Sequence, residues 1–406
     1  MTSFRSLWDE IAPIGRDPGS GGYLRYAWTE PERQLRAWFH TQADRRGMSV
    51  REDGNGNLFA WLGDPGRGDP ERGDAVLTGS HFDSVPQGGG YDGPLGIVSA
   101  FLAVDELRAR GVEPRRPLGV VAFAEEEGAR FGVPCLGSRL LTGALDPGRA
   151  AALTDRDGIT LGEALGARPA GADPELLARI GTFVELHVEQ GRALAELAAP
   201  IGVASAIWPH GRWRLDFSGE GNHAGTTRMA DRHDPMLTYA YTVLAANKEA
   251  RLRGGHATMG RVAVEPNATN AIPSLVRGWL DVRAADAATL DGLIEAVAAR
   301  AADRAAGDGT AVRLTEESMS PIVEFHGGLT ARICTRLATQ TGVRVPVLPT
   351  GAGHDAGVLS GHVPTAMLFV RNPTGVSHSP AEAATDADCE AGIAALATVL
   401  EELACR

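Results

Sequence analysis

The stretch Val76-Leu-Thr-Gly-Ser-His-Phe-Asp-Ser-Val85, Pro86-Gln-Gly-Gly-Gly90, Tyr91-Asp-Gly-Pro-Leu-Gly96 decides the reading of this chain. Its apolar start, from Ala75 to Leu77, predicts a buried strand. The strand stops at Gly79 and Ser80 and delivers His81 and Asp83 in alternation. A glycine-rich turn follows, able to wrap tightly. Asp92 then precedes Gly93, Pro94 and an apolar helical segment, Leu95 to Leu107. One imidazole and two carboxylates at a strand end are what a metal site requires. The same residues also suit a polar loop between a strand and a helix, and this stretch alone does not separate the two readings.

Working outward, a helix over Leu95–Arg110 leads through Gly111 to a second buried strand, Leu118–Ala124, which ends in Glu125-Glu-Glu127-Gly128. Strand, helix, strand in this order is a βαβ unit and predicts a partly parallel sheet. Both polar clusters then lie at strand C-terminal ends, where open α/β sheets place their sites. Upstream, apolar spacing predicts helices over Asp9–Ile14 and Thr29–Arg46, the second with capping-box spacing at Thr29-Glu-Pro-Glu32. A strand or hairpin is expected over Val50–Leu62 around Asn55-Gly56, then a polar loop, Asp64–Gly73. Downstream, residues 136–180 read as helices and loops. A strand at Thr182–Leu186 ends in His187-Val-Glu-Gln-Gly191, and a helix through Leu197 precedes a strand at Ile201–Ile207.

After Trp208 the texture changes. Arg212–Ser218 alternates strictly, as a half-exposed antiparallel strand does. A helix at Pro235–Arg253, strands at 256–265 and 275–284, a helix at 286–305 and a strand near Val312 complete a split βαβ order. From Pro321 the first texture resumes: a helix at 328–341, a strand near 343–349, Gly351-Ala-Gly-His-Asp355, a strand at 364–370, Gly375-Val-Ser-His-Ser-Pro380 and a helix at 386–404. The expected fold class is α/β: a mixed, partly parallel sheet flanked by helices, residues 1–207 and 318–406, with an inserted α+β split-βαβ domain, 208–317.

Composition narrows the function. A net charge of −12 argues against a nucleic-acid surface, and the basic residues are nearly all Arg, with Lys248 the exception. Cys135, Cys334, Cys389 and Cys405 are scattered without CxxC spacing, so no disulfide framework is expected, and Cys135 reads as a small core residue. Met1–Arg16 lacks a signal-peptide pattern, and no apolar run approaches the ~20 residues of a membrane span. A cytoplasmic chain with no membrane partner is expected.

Five segments present ligand-type side chains where apolar strands stop: His81/Asp83, Asp92, Glu125–Glu127, His187/Glu189 and His378. Singly, each has a plainer reading: a solvated helix start for the glutamates, a satisfied core histidine for His187, a loop residue for His378. Their recurrence at strand ends favours a metal site, although none matches HExxH or a Cys-rich zinc pattern.

His81-x-Asp83, Gly89-Gly-Tyr-Asp92-Gly, Glu126-Glu-Gly-Ala-Arg-Phe131, His187-Val-Glu-Gln-Gly191, Asn222-His-Ala-Gly-Thr-Thr227, Gly351-Ala-Gly-His-Asp355 and Ser377-His378 together resemble the M20-type dinuclear metallo-amidohydrolases. The resemblance spans essentially the whole chain. It points to the branch containing N-carbamoyl-L-amino acid hydrolases, allantoate amidohydrolases and β-ureidopropionases. It implies two divalent ions per subunit, Zn or Mn with Co or Ni possible. Asp92 would bridge them, His81 and His187 would complete one site, and Glu127 and His378 the other. Asp83 would orient His81 from behind, and Glu126 would be the general base. Gln190, His223, Asn270, Arg283 and Gly353 would contact a ureido carboxylate substrate, Arg283 as the carboxylate clamp. A homodimer through the inserted, substrate-binding domain is also implied. Arg228 stands where the family usually has proline; it is expected to face water. His354 and Asp355 receive no role.

Three other functions compete. An aminoacylase or dipeptidase of the same fold is disfavoured by His187, where peptidase relatives carry a carboxylate. A nucleotide-dependent enzyme is disfavoured because Gly351-x-Gly353 and Gly88–Gly90 lack GxGxxG and a P-loop lysine. A non-catalytic binding relative is disfavoured by the intact ligand set.

Overall fold

The computed structural model describes residues 3–66 and 73–405. Of the polar loop expected at Asp64–Gly73, residues 67–72 lie outside the described residues. The chain forms two compact units, Met1–Ala206 with Glu324–Arg406, and Ile207–Val323.

The first unit opens with a helix at Phe4–Ile11, earlier than the expected Asp9–Ile14. Its buried face, Phe4, Leu7, Trp8 and Ile11, has helical spacing, and Ser3 caps it, whereas Pro13 disfavours helix at the residue before it. The helix Glu30–Arg45 follows, but the expected capping box does not form. The Thr29 hydroxyl donates to the Tyr26 carbonyl instead, and Glu32 accepts from the Trp28 N–H. Strands β1 (Ser49–Glu52) and β2 (Leu58–Leu62) make the hairpin around Asn55-Gly56. Then come β3 (Ala75–His81), the helix Pro94–Ala109, β4 (Leu118–Phe123), β5 (Ile180–Val188) and β6 (Ile201–Ile207).

The second unit holds β7 (His210–Ser218), the two-residue β8 (Asn222–His223), the helix Pro235–Arg253, β9 (His256–Glu265), the two-residue β10 (Ala271–Ile272), β11 (Leu275–Arg283), the helix Ala287–Asp308 and β12 (Ala311–Ser320). Its sheet runs β12-β7-β11-β9, all antiparallel. One face buries Trp213, Leu215, Phe217, Val276, Leu280 and Val282 under the two helices, the alternation legible in the sequence. The unit continues past residue 317 because β12 keeps pairing with β7 to Ser320, through an irregularity between Glu316 and Ser318.

Back in the first unit, β13 (Val323–Glu324), the helix Gly327–Thr341, β14 (Val347–Thr350), β15 (Thr365–Val370) and the helix Asp386–Ala404 complete the chain. Among the described residues the sheet has nine strands, ordered β1-β2-β4-β3-β5-β15-β6-β13 with β14 beside β6. β4, β3, β5 and β15 are mutually parallel; β1 and β2 run antiparallel to their neighbours, and β6 antiparallel to β15. The parallel strands are buried on both faces, with the helices Pro94–Ala109 and Asp386–Ala404 packed together against them. This register brings the ends of β3, β4 and β5 to one edge: His81 lies beside Phe123, and His187 beside Phe369. Among the described residues no helix is long and apolar enough to cross a membrane.

Candidate metal centre

Four parallel strands end at one edge, and the side chains that follow them converge on Asp92. Its Oδ1 lies 3.2 Å from His187 Nε2 and 3.6 Å from His81 Nε2. Its Oδ2 lies 3.3 Å from His378 Nε2, which is 3.5 Å from Glu127 Oε2. One carboxylate therefore faces two separate ligand sets, one with each oxygen. His81, Asp92 and His187 form one group able to hold a cation; Asp92, Glu127 and His378 form another.

The backbone prepares these donors. His81 Nδ1 donates to the Asp83 carbonyl at 3.0 Å, and His187 Nδ1 to the Val188 carbonyl at 2.9 Å. Each ring must then carry its proton on Nδ1, which leaves the Nε2 lone pair facing the site. Both Nε2 atoms are buried without a hydrogen-bond partner. A buried polar atom without a partner is costly, so two such nitrogens aimed at one carboxylate fit a cation and not a packed core. Gly93 (φ 85°) makes this approach possible, because a Cβ there would lie 2.4 Å from His81 Cε1. His378 also has left-handed backbone (φ 55°), a costly conformation for a non-glycine residue and one that clusters at functional sites.

The electrostatics describe a site built for positive charge. Burial pushes the Glu126 carboxyl well above its usual range, and burial holds Glu127 up at about 7. Burial opposes charge on His81, yet Glu126, Asp83 and Asp92 together raise it well above normal. A hydrogen bond from His378 to Asp92 raises that histidine to about 9. Asp92 is held well below the carboxylate range, its burial outweighed by the three histidines.

Residues 77–402 match peptidase family M20/M25/M40. The chain belongs to this family. It is 37% identical to an N-carbamoyl-L-amino acid amidohydrolase from Geobacillus stearothermophilus, over 100% of this chain and 99% of that one. It is 32% identical to an allantoate amidohydrolase from Escherichia coli, over the same shares, 100% and 99%. A solved amidase of the hydantoinase/carbamoylase family from Burkholderia vietnamiensis shares the fold with a TM-score of 0.86 at 31% identity, covering 100% of this chain and 98% of that one. M20 enzymes are metal-dependent, and the two ligand groups around Asp92 are what this M20 chain offers a metal.

Several site residues sit differently from the expectation. The Asp83 carboxylate is 3.5 Å from His81 Nδ1, farther than its own backbone carbonyl. Its oxygens instead accept the backbone N–H groups of Glu126 at 3.1 Å and Glu127 at 3.0 Å, so Asp83 orients Glu126 and Glu127 together. Gln190 Nε2 donates to Asp92 Oδ2 at 2.7 Å and lies 3.2 Å from His378 Nε2, placing it inside the ligand cluster. Cys135 is buried, but against a carboxylate: its Sγ is 3.4 Å from Glu126 Oε1. Glu189 accepts from the N–H groups of Ala193 and Leu194 and so serves the following turn. Glu125 similarly accepts from Arg130 and Phe131.

His354 packs its ring 4.5 Å from that of His187 and is buried. With Glu185 these two form a third possible ligand group, but both Glu185 oxygens are already engaged, by the Ser80 hydroxyl and the Ala356 N–H. Asp355 accepts from the Ser138 hydroxyl. Gly353 is exposed, and a Cβ there would meet open space.

The remaining expected substrate residues lie in the second unit. His223 pairs with Ala271, next to Asn270, through the β8–β10 contact, and the Ala224 N–H donates to the Asn270 carbonyl. Both residues are exposed. Arg283, at the end of β11, is held by Asp281, with Nε to Oδ1 at 2.8 Å. Arg228 is exposed and paired with Asp231.

Proposed function

We propose that this M20 chain hydrolyses the ureido (carbamoyl) group of a small carboxylate, allantoate or an N-carbamoyl-L-amino acid. The products would be ammonia, carbon dioxide and the amine. The two relatives named for acting on such groups support the reading, as does the imidazole of His187 in the first ligand group. The observation that carries it is the division of Asp92, one oxygen toward His81 and His187 and the other toward His378 and Glu127.

We assign one divalent ion to each group, Zn or Mn, with Co or Ni suited to the same donors. Two such ions, when bound, lower the pKa of a water to about 7 and polarise the substrate carbonyl. Glu126 then serves as general base: it accepts the proton of the attacking water and returns it to the leaving nitrogen. Asp83 and Cys135 hold that carboxylate and its backbone in place. Arg283 is the proposed carboxylate clamp, its planar guanidinium held in place by Asp281. His223 and Asn270 are the proposed contacts to the ureido carbonyl and its neighbours, with Gln190 and Gly353 contributing from the first unit.

We also propose a homodimer through the second unit. The helix Pro235–Arg253 exposes Leu237, Tyr241, Leu244 and Leu252, and β9 is an edge strand exposing Val262. An apolar helix face beside an open strand edge is a surface that association would cover.

The deciding experiment measures ammonia release from allantoate, N-carbamoyl-L-amino acids and N-carbamoyl-β-alanine, with N-acetyl amino acids and dipeptides as controls. Release from a ureido substrate, lost on chelation and restored by Mn or Zn, is expected. Turnover of the acetyl or peptide substrates alone would replace this reading with the aminoacylase one.

A further inference from the structure

One buried carboxylate near the centre belongs to neither ligand group. Glu382 is 7% exposed and sits four residues beyond His378, in the loop before the last helix. Its Oε1 accepts from the backbone N–H of Tyr91 at 2.8 Å and of Asp92 at 3.0 Å. Its Oε2 accepts from the Ser377 hydroxyl at 3.2 Å, and that same hydroxyl lies 3.2 Å from Asp92 Oδ2. Glu382 thus touches the loop that carries the shared carboxylate and the residue just before His378. Its own N–H donates to the Ser379 carbonyl, closing a tight turn that fixes the direction of the side chain.

The glycine-rich turn is shaped for this contact. A Cβ on Gly89 would lie 2.2 Å from Glu382 Oε1 and 2.5 Å from its Cβ. The glycine leaves the space that the carboxylate fills.

We propose that Glu382 is a positioning residue which clamps the Asp92 loop to the His378 loop and so sets the geometry of the second cation group. The inference rests on the metal-dependent reading above. Asp92 and His378 come from loops far apart in sequence, and among the described residues no strand pairing fixes one against the other. The carboxylate supplies the fixed link, with two charge-assisted bonds to one loop and one hydroxyl bond to the other. An apolar residue of the same size would leave two N–H groups beside Asp92 unsatisfied.

The test titrates the chelated full-length protein with Zn²⁺ by calorimetry and with Co²⁺ by visible absorption, alongside the melting of the metal-free protein. Loss of partners that orient metal ligands typically costs about 10–100-fold in affinity. Glu382→Ala is therefore expected to weaken one of the two ions by that factor and to alter the Co²⁺ spectrum. Glu382→Gln, which keeps the acceptor for both N–H groups, should recover most of the loss. Gly89→Ala should reproduce the loss with Glu382 still present, and it carries the test if Glu382→Ala does not fold. Affinities for both ions unchanged from wild type in a folded Glu382→Ala, or a Gln variant no better than Ala, would overturn the clamp. A wild-type protein that takes up no cation would instead overturn the metal-dependent reading itself.

Discussion

Asp92 concentrates the chemistry of the centre on one side chain, and its neighbours predict how cations enter. In the metal-free protein the bond to Asp92 keeps His378 protonated up to about pH 9, and burial keeps Glu127 partly protonated near pH 7. Both must lose a proton to bind a cation. The sign follows: uptake at pH 7 expels protons, so apparent affinity should rise with pH through this range. Calorimetric titrations in two buffers of different ionisation heat would read the released protons, and identical heats would contradict the assignment. Glu126 makes a separate demand. Replacement by Gln removes proton transfer and leaves the ligands, so kcat should fall by about 10²–10⁴-fold with metal content unchanged. A loss under tenfold would remove Glu126 as the base.

At the scale of elements, the surface of the second unit carries its own prediction. Leu244, 71% exposed on the helix Pro235–Arg253, stands among the apolar residues that a dimer would bury. Leu244→Asp would place a charge there without disturbing the core beneath, which is built from Ala245, Ala246 and Ala250. The variant should sediment as a monomer while keeping the wild-type melting profile; an unchanged mass would point to another face. Most elements were legible because a continuous apolar run or a regular alternation marks them. The strands Ile201–Ile207 and His256–Glu265 and the helices Pro235–Arg253 and Asp386–Ala404 have the expected bounds. Competing hydrogen bonds were not legible: at Thr29 the Tyr26 carbonyl took the hydroxyl that the capping pattern reserved for the helix. In the site, the segments carrying His81, Asp92, Glu127, His187 and His378 stood out because metal-binding residue types follow apolar strands, whereas the choice among their side chains came from the family resemblance. Glu382, Glu185 and Cys135 did not stand out, because their partners come from distant segments and their local sequence resembles an ordinary loop, strand or core. The glycine-rich turn at 88–90 was the one available signal for Glu382, since a missing Cβ marks a close approach without naming what approaches.

Across the whole molecule the residues divide by task. Every proposed ligand and the proposed base belong to the first unit, whereas Arg283, His223 and Asn270 belong to the second. The sheet edge of the first unit suits cations because parallel strands present their ends together. The strands of the second are half-exposed and present charged side chains to water, as Arg212, Asp281 and Arg283 do. This division makes recognition separable from chemistry. A bidentate bond between Arg283 and a substrate carboxylate is worth about 1.5–3 kcal/mol, as hydrogen bonds to charged groups are. Arg283→Ala should therefore raise KM for a ureido carboxylate by about 10- to 100-fold. It should leave metal content untouched and hardly change the turnover of a neutral alkylurea at saturation. Its loss would also free Asp281 to pair with Arg212 alone, 3.4 Å away, so the strand itself should stay folded. If KM rises equally for the neutral urea, Arg283 holds the shape of the unit and some other cation recognises the carboxylate.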